Sequence, residues 1–157
     1  MKTAVFDCVV LLQAAANANG AAGACLAFVE TGQVNLFLSP AILDEARDVL
    51  SRPETRKRFP QLTEEMVDRF LLKVTTLAIV VHDVPAAMQL PRDPTDEPYL
   101  NLAIATQASF IVSRDKDLLS IMEDEIFRTA FPALSIVDPK TFLDHVRAEI
   151  GKESGGA

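Results

Sequence analysis

Residues 91–119, PRDPTDEPYLNLAIATQASFIVSRDKDLL, carry an acidic loop, a helix, a short apolar strand and a second acidic loop in one run. Two prolines, Pro94 and Pro98, follow Asp93 and Asp96 and mark a turn that feeds the helix. Helical spacing sends Leu100, Ala103, Ile104 and Gln107 toward the interior. Asp96 sits at the amino-terminal end of that same face and points inward. Phe110, Ile111 and Val112 are too few for a helix and too apolar for a loop, so they read as a central strand ending at Ser113, Arg114 and Asp115. Open α/β sheets do their chemistry at the carboxyl ends of strands, which puts Asp115 in a functional position.

The same logic runs outward to both ends of the chain. Thr3–Phe6 is a β-rich segment with Asp7 at its carboxyl end, and a helix begins at once with Val9 to Leu12. The Ala, Asn and Gly residues of 14–24 predict a break near 17–23, with a helix resuming through Cys25, Leu26, Phe28 and Val29 and ending at Gly32. Val34–Leu38 reads as a strand, and Ser39–Pro40 as the cap and first residue of the next helix. In ILDEARDVL, Ile42, Ala46, Val49 and Leu50 mark the buried face; Asp44 lies opposite it, and Glu45 at its border can reach a cleft. SRPETRKRFP is a basic loop or short helix. Thr63 opens a further helix, and Leu77–Val81 an extended segment. Asp117–Met122 reads as a short helix and Ser135–Val137 as the last strand, and Asp138–Pro139 opens the last helix. Residues 123–133 give no pattern.

A chain of 157 residues is one domain, large enough to bury about 70% of its extended-chain surface. Residues 1–150 form that domain and 151–157, GKESGGA, a flexible tail. Cys8 and Cys25 lie in apolar stretches and read as reduced core thiols of a cytoplasmic protein. The start lacks a signal-peptide pattern and no 18-residue apolar run spans a membrane. The net charge of −7 argues against electrostatic coating of nucleic acid. Yet Arg47, Arg52, Arg56, Lys57 and Arg58 cluster, and Arg92, Arg114 and Lys116 flank the acidic loops.

The inward or strand-end acids are Asp7, Glu45, Asp96 and Asp115, with Asp93 and Asp117 nearby. Four carboxylates around one cleft repel unless a cation or protonation relieves them, and an all-oxygen set suits Mg²⁺ or Mn²⁺. Taken singly, each acid can equally be a helix cap or a solvated surface group. Asp117 is read as either the cap of DLLSIM or an outer metal contact, and Asp93 as a cap or an outer contact. Tyr99, His82 and His145 read as packing or surface residues.

In VFDCVVLLQA, SPAILDEARDVLSRP, RDPTDEPYLNLAIA and FIVSRDKDLL, and weakly in IVDPKTFL, the chain resembles the PIN-domain family, in particular the VapC-like ribonucleases of bacterial toxin–antitoxin systems. The resemblance covers roughly residues 3–145. It implies a three-layer α/β/α fold with a mostly parallel sheet, and a divalent-metal nuclease site made by Asp7, Glu45, Asp96 and Asp115. It further implies an RNA substrate, a homodimer and a cognate antitoxin. Ser113, Arg114 and Lys116 are then candidate substrate contacts. Two departures stand out: Val9 replaces the polar residue common two positions after the first aspartate, and Ser113-Arg114-Asp115 stands where Thr-Gly-Asp is common. The first of these keeps open a second reading, a PIN-like RNA-binding or protein-interaction module with little or no turnover. A phosphatase or receiver domain is a third, but the former wants an acid where Val9 stands.

Overall fold

The computed structural model describes residues 2–87 and 94–155. Asp93 and Arg92 lie outside the described residues. A five-stranded, all-parallel sheet in the order β3-β2-β1-β4-β5 is flanked by helices. Its strands are β1 (Lys2–Phe6), β2 (Val34–Leu38), β3 (Ile79–Val80), β4 (Phe110–Val112) and β5 (Ser135–Val137). The helices are α1 (Cys8–Ala16), α2 (Ala21–Glu30), α3 (Pro40–Leu50), α4 (Pro53–Arg58), α5 (Glu64–Leu77), α6 (Glu97–Thr106), α7 (Lys116–Ser120), α8 (Glu125–Ala130) and α9 (Pro139–Gly155).

Successive residues of a strand point to opposite faces, so three consecutive residues without exposure need cover on both sides. Ala4, Val5 and Phe6 of β1 meet that condition. Helix α6 lies across β1, β2 and β4, while α9 packs on α2 and β4. Phe142 of α9 meets Phe6 and Phe110 edge-on, with ring centroids 6.0 and 5.2 Å apart. The strand order reverses at β1: the chain moves one way through β2 and β3, then returns to the other side with β4 and β5. The crevice of such a sheet opens at the carboxyl ends of the strands flanking the reversal, here β1 and β4.

Local chemistry explains most boundaries. Ser39 and Thr63 accept from Ile42 N and Met66 N to cap α3 and α5. Gly32 ends α2 at φ +81, where a side chain would be strained. Several expectations are corrected. Helix α2 starts at Ala21, inside the expected break, and its Gly23 passes the Ala18 carbonyl so closely that a Cβ would stand 2.3 Å from its oxygen. Gln107 does not face the interior: it is the exposed left-handed cap of α6 at φ 55, and Tyr99 and Leu102 join Leu100 and Ala103 in the buried face. Helix α5 runs through Leu77 and leaves only Ile79–Val80 as strand. Residues 123–133 contain α8, capped by Asp124. Helix α9 extends through Gly155.

Candidate active site at the strand ends

The β1–β4 register pairs Phe6 with Val112, and the ladder continues one step further, with Asp7 N donating to Val112 O at 3.1 Å. On the far side, Ser113 N donates to Val137 O at 2.9 Å. Asp7 and Ser113 therefore leave adjacent strands at the same level. Asp7 is the N-cap of α1, with Oδ1 accepting from Val10 N at 2.9 Å. Its other oxygen accepts from the Ser113 hydroxyl. The same hydroxyl accepts from Asp115 N at 2.9 Å. One serine thus fixes a carboxylate on one strand and the backbone that carries a second acid after the next. Ser113 is fully buried, with its hydroxyl shared between the Asp7 carboxylate and the Asp115 N–H.

Asp7 is 4% exposed, and that burial raises its pKa above the ordinary value of 3.8. The bonds from Ser113 and Val10 oppose the rise, and the nearby charge of Asp115 adds to it. Asp115 is half-buried and caps α7, with Oδ1 accepting from Asp117 N at 2.8 Å. The cap is therefore Asp115, and Asp117 is an exposed acid in the first turn.

A second cluster forms beside the first, from α1, α3 and α6. Glu45 is half-buried, while its neighbour Asp44 is exposed, as the helical spacing requires. Glu45 Oε2 accepts from the Tyr99 hydroxyl at 2.8 Å, and Oε1 accepts from Cys8 Sγ at 3.4 Å. The Tyr99 oxygen in turn accepts from Cys8 N at 3.1 Å. Tyr99 is 2% exposed and unable to stack on a base. Burial raises its pKa, and it pushes the Cys8 thiol up to about 12, so both keep the protons they donate. Asp96, 5% exposed, stands one helical turn before Tyr99 at the N-cap position of α6, without a side-chain capping hydrogen bond.

The basic residues expected at the substrate are exposed. Arg114 donates through Nε to Gln13 Oε1 and shares a small cleft of about 190 Å³ with Asn17 and Phe59. Lys116 is exposed at the start of α7. Val9, 38% exposed, faces outward instead of packing.

Among the described residues no three His, Cys, Asp or Glu side chains stand together as a ready metal cage. Mg²⁺, however, is commonly held by one or two carboxylates with several waters. Asp7 and Asp115 suit that demand: both are oxygen donors, they are linked through Ser113, and the nearby Asp115 raises the cost of the Asp7 charge, which a cation would offset. Sequence spacing singled out four acids; the structure joins Asp7 to the Asp115 backbone through Ser113 and Glu45 to Tyr99 and Cys8, and among the described residues it gathers no three acids in one cluster. Sequence spacing missed Tyr99 and Cys8, whose roles depend on contacts 54 and 37 residues away along the chain; a buried hydroxyl one turn after Asp96 was the only local hint.

A family model described as the PIN domain matches residues 3–117, well over half of the chain. The chain belongs to the PIN-domain family. PIN domains are in general nucleases, and the parallel sheet with acids at its carboxyl edge has the architecture of that fold. The chain is also similar to an uncharacterized protein of Methanocaldococcus jannaschii, 26% identical over 141 residues, covering 89% of this chain and 88% of the relative. Among the described residues no single helix is long and apolar enough to cross a membrane.

Proposed function

We propose that this PIN domain is a divalent-metal-dependent endoribonuclease and the toxin component of a toxin–antitoxin pair. The observation that carries the reading is the Asp7–Ser113–Asp115 junction, a buried carboxylate joined through one serine hydroxyl to the backbone of a second acid where the strand order reverses. Asp7 and Asp115 would hold Mg²⁺ or Mn²⁺, with Asp96 and Glu45 completing the site through water or directly, and Asp93 and Asp117 as outer contacts. The ion, when bound, polarises a phosphate oxygen and lowers the pKa of water. The chain's own residues do the rest. Ser113 and the α1 amino terminus fix the direction of the Asp7 carboxylate, and Tyr99 and Cys8 fix that of Glu45. Arg114 and Lys116 stand exposed beside Asp115, able to meet the phosphates on either side of the cut.

The reading includes a homodimer and a cognate antitoxin. Its support is an apolar groove of about 340 Å³ between α2 and α5, lined by Leu26, Leu62, Met66 and Phe70, with Met66 47% exposed. Light scattering over a concentration series should give twice the 17.1 kDa of one chain, and a persistent monomer mass would exclude a stable dimer.

The decisive experiment incubates the protein with a varied RNA pool and Mg²⁺ or Mn²⁺, with EDTA and Asp96→Asn controls, and sequences the products. Asp96→Asn keeps the size of a buried side chain while removing its charge. A loss of about 100-fold, or about 2.7 kcal/mol of transition-state stabilisation, is expected. Activity untouched by both controls would point to a contaminant. Among the described residues no three-acid cage is preformed, which favours the second reading, an RNA-binding or protein-interaction module; wild-type protein that neither cleaves the pool nor binds divalent metal would move that reading ahead.

A further inference from the structure

Resting on the nuclease reading, we infer that Tyr99 is a positioning residue of the site, acting through Glu45: its hydroxyl ties the Glu45 carboxylate on α3 to the peptide that carries Asp7. The hydroxyl has one proton and gives it to Glu45 Oε2 at 2.8 Å, while its oxygen takes the N–H of Cys8 at 3.1 Å. Cys8 directly follows Asp7, so a single side chain from α6 sets how far the acid of α3 stands from the acid at the end of β1. The Cys8 thiol holds the other oxygen of Glu45 at 3.4 Å. An ionised carboxylate offers about four acceptor positions, and these bonds take two of them, leaving lone pairs for a water or a cation.

The geometry separates this role from simple packing. A core tyrosine needs only some acceptor for its proton, and any backbone carbonyl would serve. Here the acceptor is an acid of the candidate site, and the donor on the other side is the first N–H of the helix capped by another such acid. The linkage also supplies, from a different element, side-chain support that Val9, lacking any hydrogen-bonding group, does not give. Cys8 enters as a fixed donor and not as a redox centre, being 8% exposed.

The test is a double-mutant cycle. Tyr99→Phe, Glu45→Gln and the combined variant are compared in kcat and KM on a cleaved RNA, in Mn²⁺ affinity by calorimetry without RNA, and in thermal stability. Loss of a hydrogen-bond partner that orients a metal-site residue costs roughly 10- to 100-fold in metal affinity or activity. Tyr99→Phe should show such a loss in kcat or in Mn²⁺ affinity with the RNA KM unchanged, and should add little once Glu45 is already Gln. Should Tyr99→Phe fail to fold, Cys8→Ala carries the same test on the other oxygen: a smaller loss with Glu45 present and none in Glu45→Gln. Equal losses in both backgrounds, or no loss with Glu45 present, would overturn the inference while leaving the nuclease reading intact. Wild-type protein that neither cuts RNA nor binds Mn²⁺ removes the reading itself, and the inference with it.

Discussion

Asp7 and Asp138 occupy equivalent places in the backbone and differ in almost everything else. Each follows a strand of the same parallel sheet, and each accepts from the N–H three residues on, Val10 N at 2.9 Å and Thr141 N at 2.8 Å. Asp7 follows the central strand β1, is enclosed, and has its pKa raised, first by burial. Asp138 follows the edge strand β5, is partly exposed, and has its pKa lowered, first by the Thr141 backbone N–H and then by its hydroxyl. Arg114 and Lys140 favour the Asp138 charge further, whereas the nearest charge felt by Asp7 is the like charge of Asp115. A cap alone makes a carboxylate a stabilising group. Enclosure beside a second acid makes it a costly one, and such a cost at the crevice of a parallel sheet is what the proposed function would account for.

The comparison breaks most easily on exchange of the two acids. Asp7→Asn should lower RNA cleavage by about 100-fold or more, equivalent to about 2.7 kcal/mol or more in transition-state stabilisation. Asp138→Asn, which keeps a capping oxygen, should leave kcat/KM where it was. Comparable losses in initial rates for both variants would show that strand-end position, and not enclosure, governs function.

A smaller effect sharpens the difference between the two caps. Ser113→Ala removes the hydroxyl shared by the Asp7 carboxylate and Asp115 N, whereas the hydroxyl that serves Asp138 is that of Thr141, from its own helix. Leaving a buried carboxylate oxygen without that partner should destabilise by about 1–3 kcal/mol in urea unfolding. Misorienting the acid should cost cleavage about 10-fold. An active, fully stable Ser113→Ala would mean that burial and the helix amino terminus orient Asp7 unaided.

These acids also show where sequence reading stops. Asp7, Asp115 and Asp138 look alike on paper: an apolar run, an acid, a helix. The run and the cap are local, so β1, β4 and β5 and the starts of α1, α3, α5 and α9 were legible, as was the outward Asp44 beside the cleft-side Glu45. Strand order is not local, and it decides that Asp7 and the Asp115 backbone share Ser113 while Asp138 stays at the edge. Tyr99 was hidden for the same reason, since its hydroxyl finds Glu45 and Cys8 from another helix. Gln107 misled because the helical period continues in sequence past the point where a left-handed residue ends the helix in space. The α8 segment was unreadable because Phe127 is its sole buried residue, too few for a period to show.

The smallest expected effect tests the Asp138 half of the comparison. Asp138→Ala removes the side-chain acceptor of Thr141 N at the start of α9, and loss of an N-cap costs about 1 kcal/mol. The sign of its pH dependence follows from the lowered pKa. The folded state holds the Asp138 proton less tightly than the unfolded state, so the stabilisation is fully present above the unfolded-state value, near 3.8, and is lost as pH falls through the lower folded-state value. Urea unfolding of wild type and Asp138→Ala should therefore differ by the full amount at neutral pH and converge well below the ordinary carboxylate range. Salt should shrink part of the difference, because the contributions of Arg114 and Lys140 act through solvent. A gap that widened on acidification would mean that Asp138 is held in the protonated form by the fold, as burial tends to hold Asp7, and the contrast between the two strand-end acids would collapse.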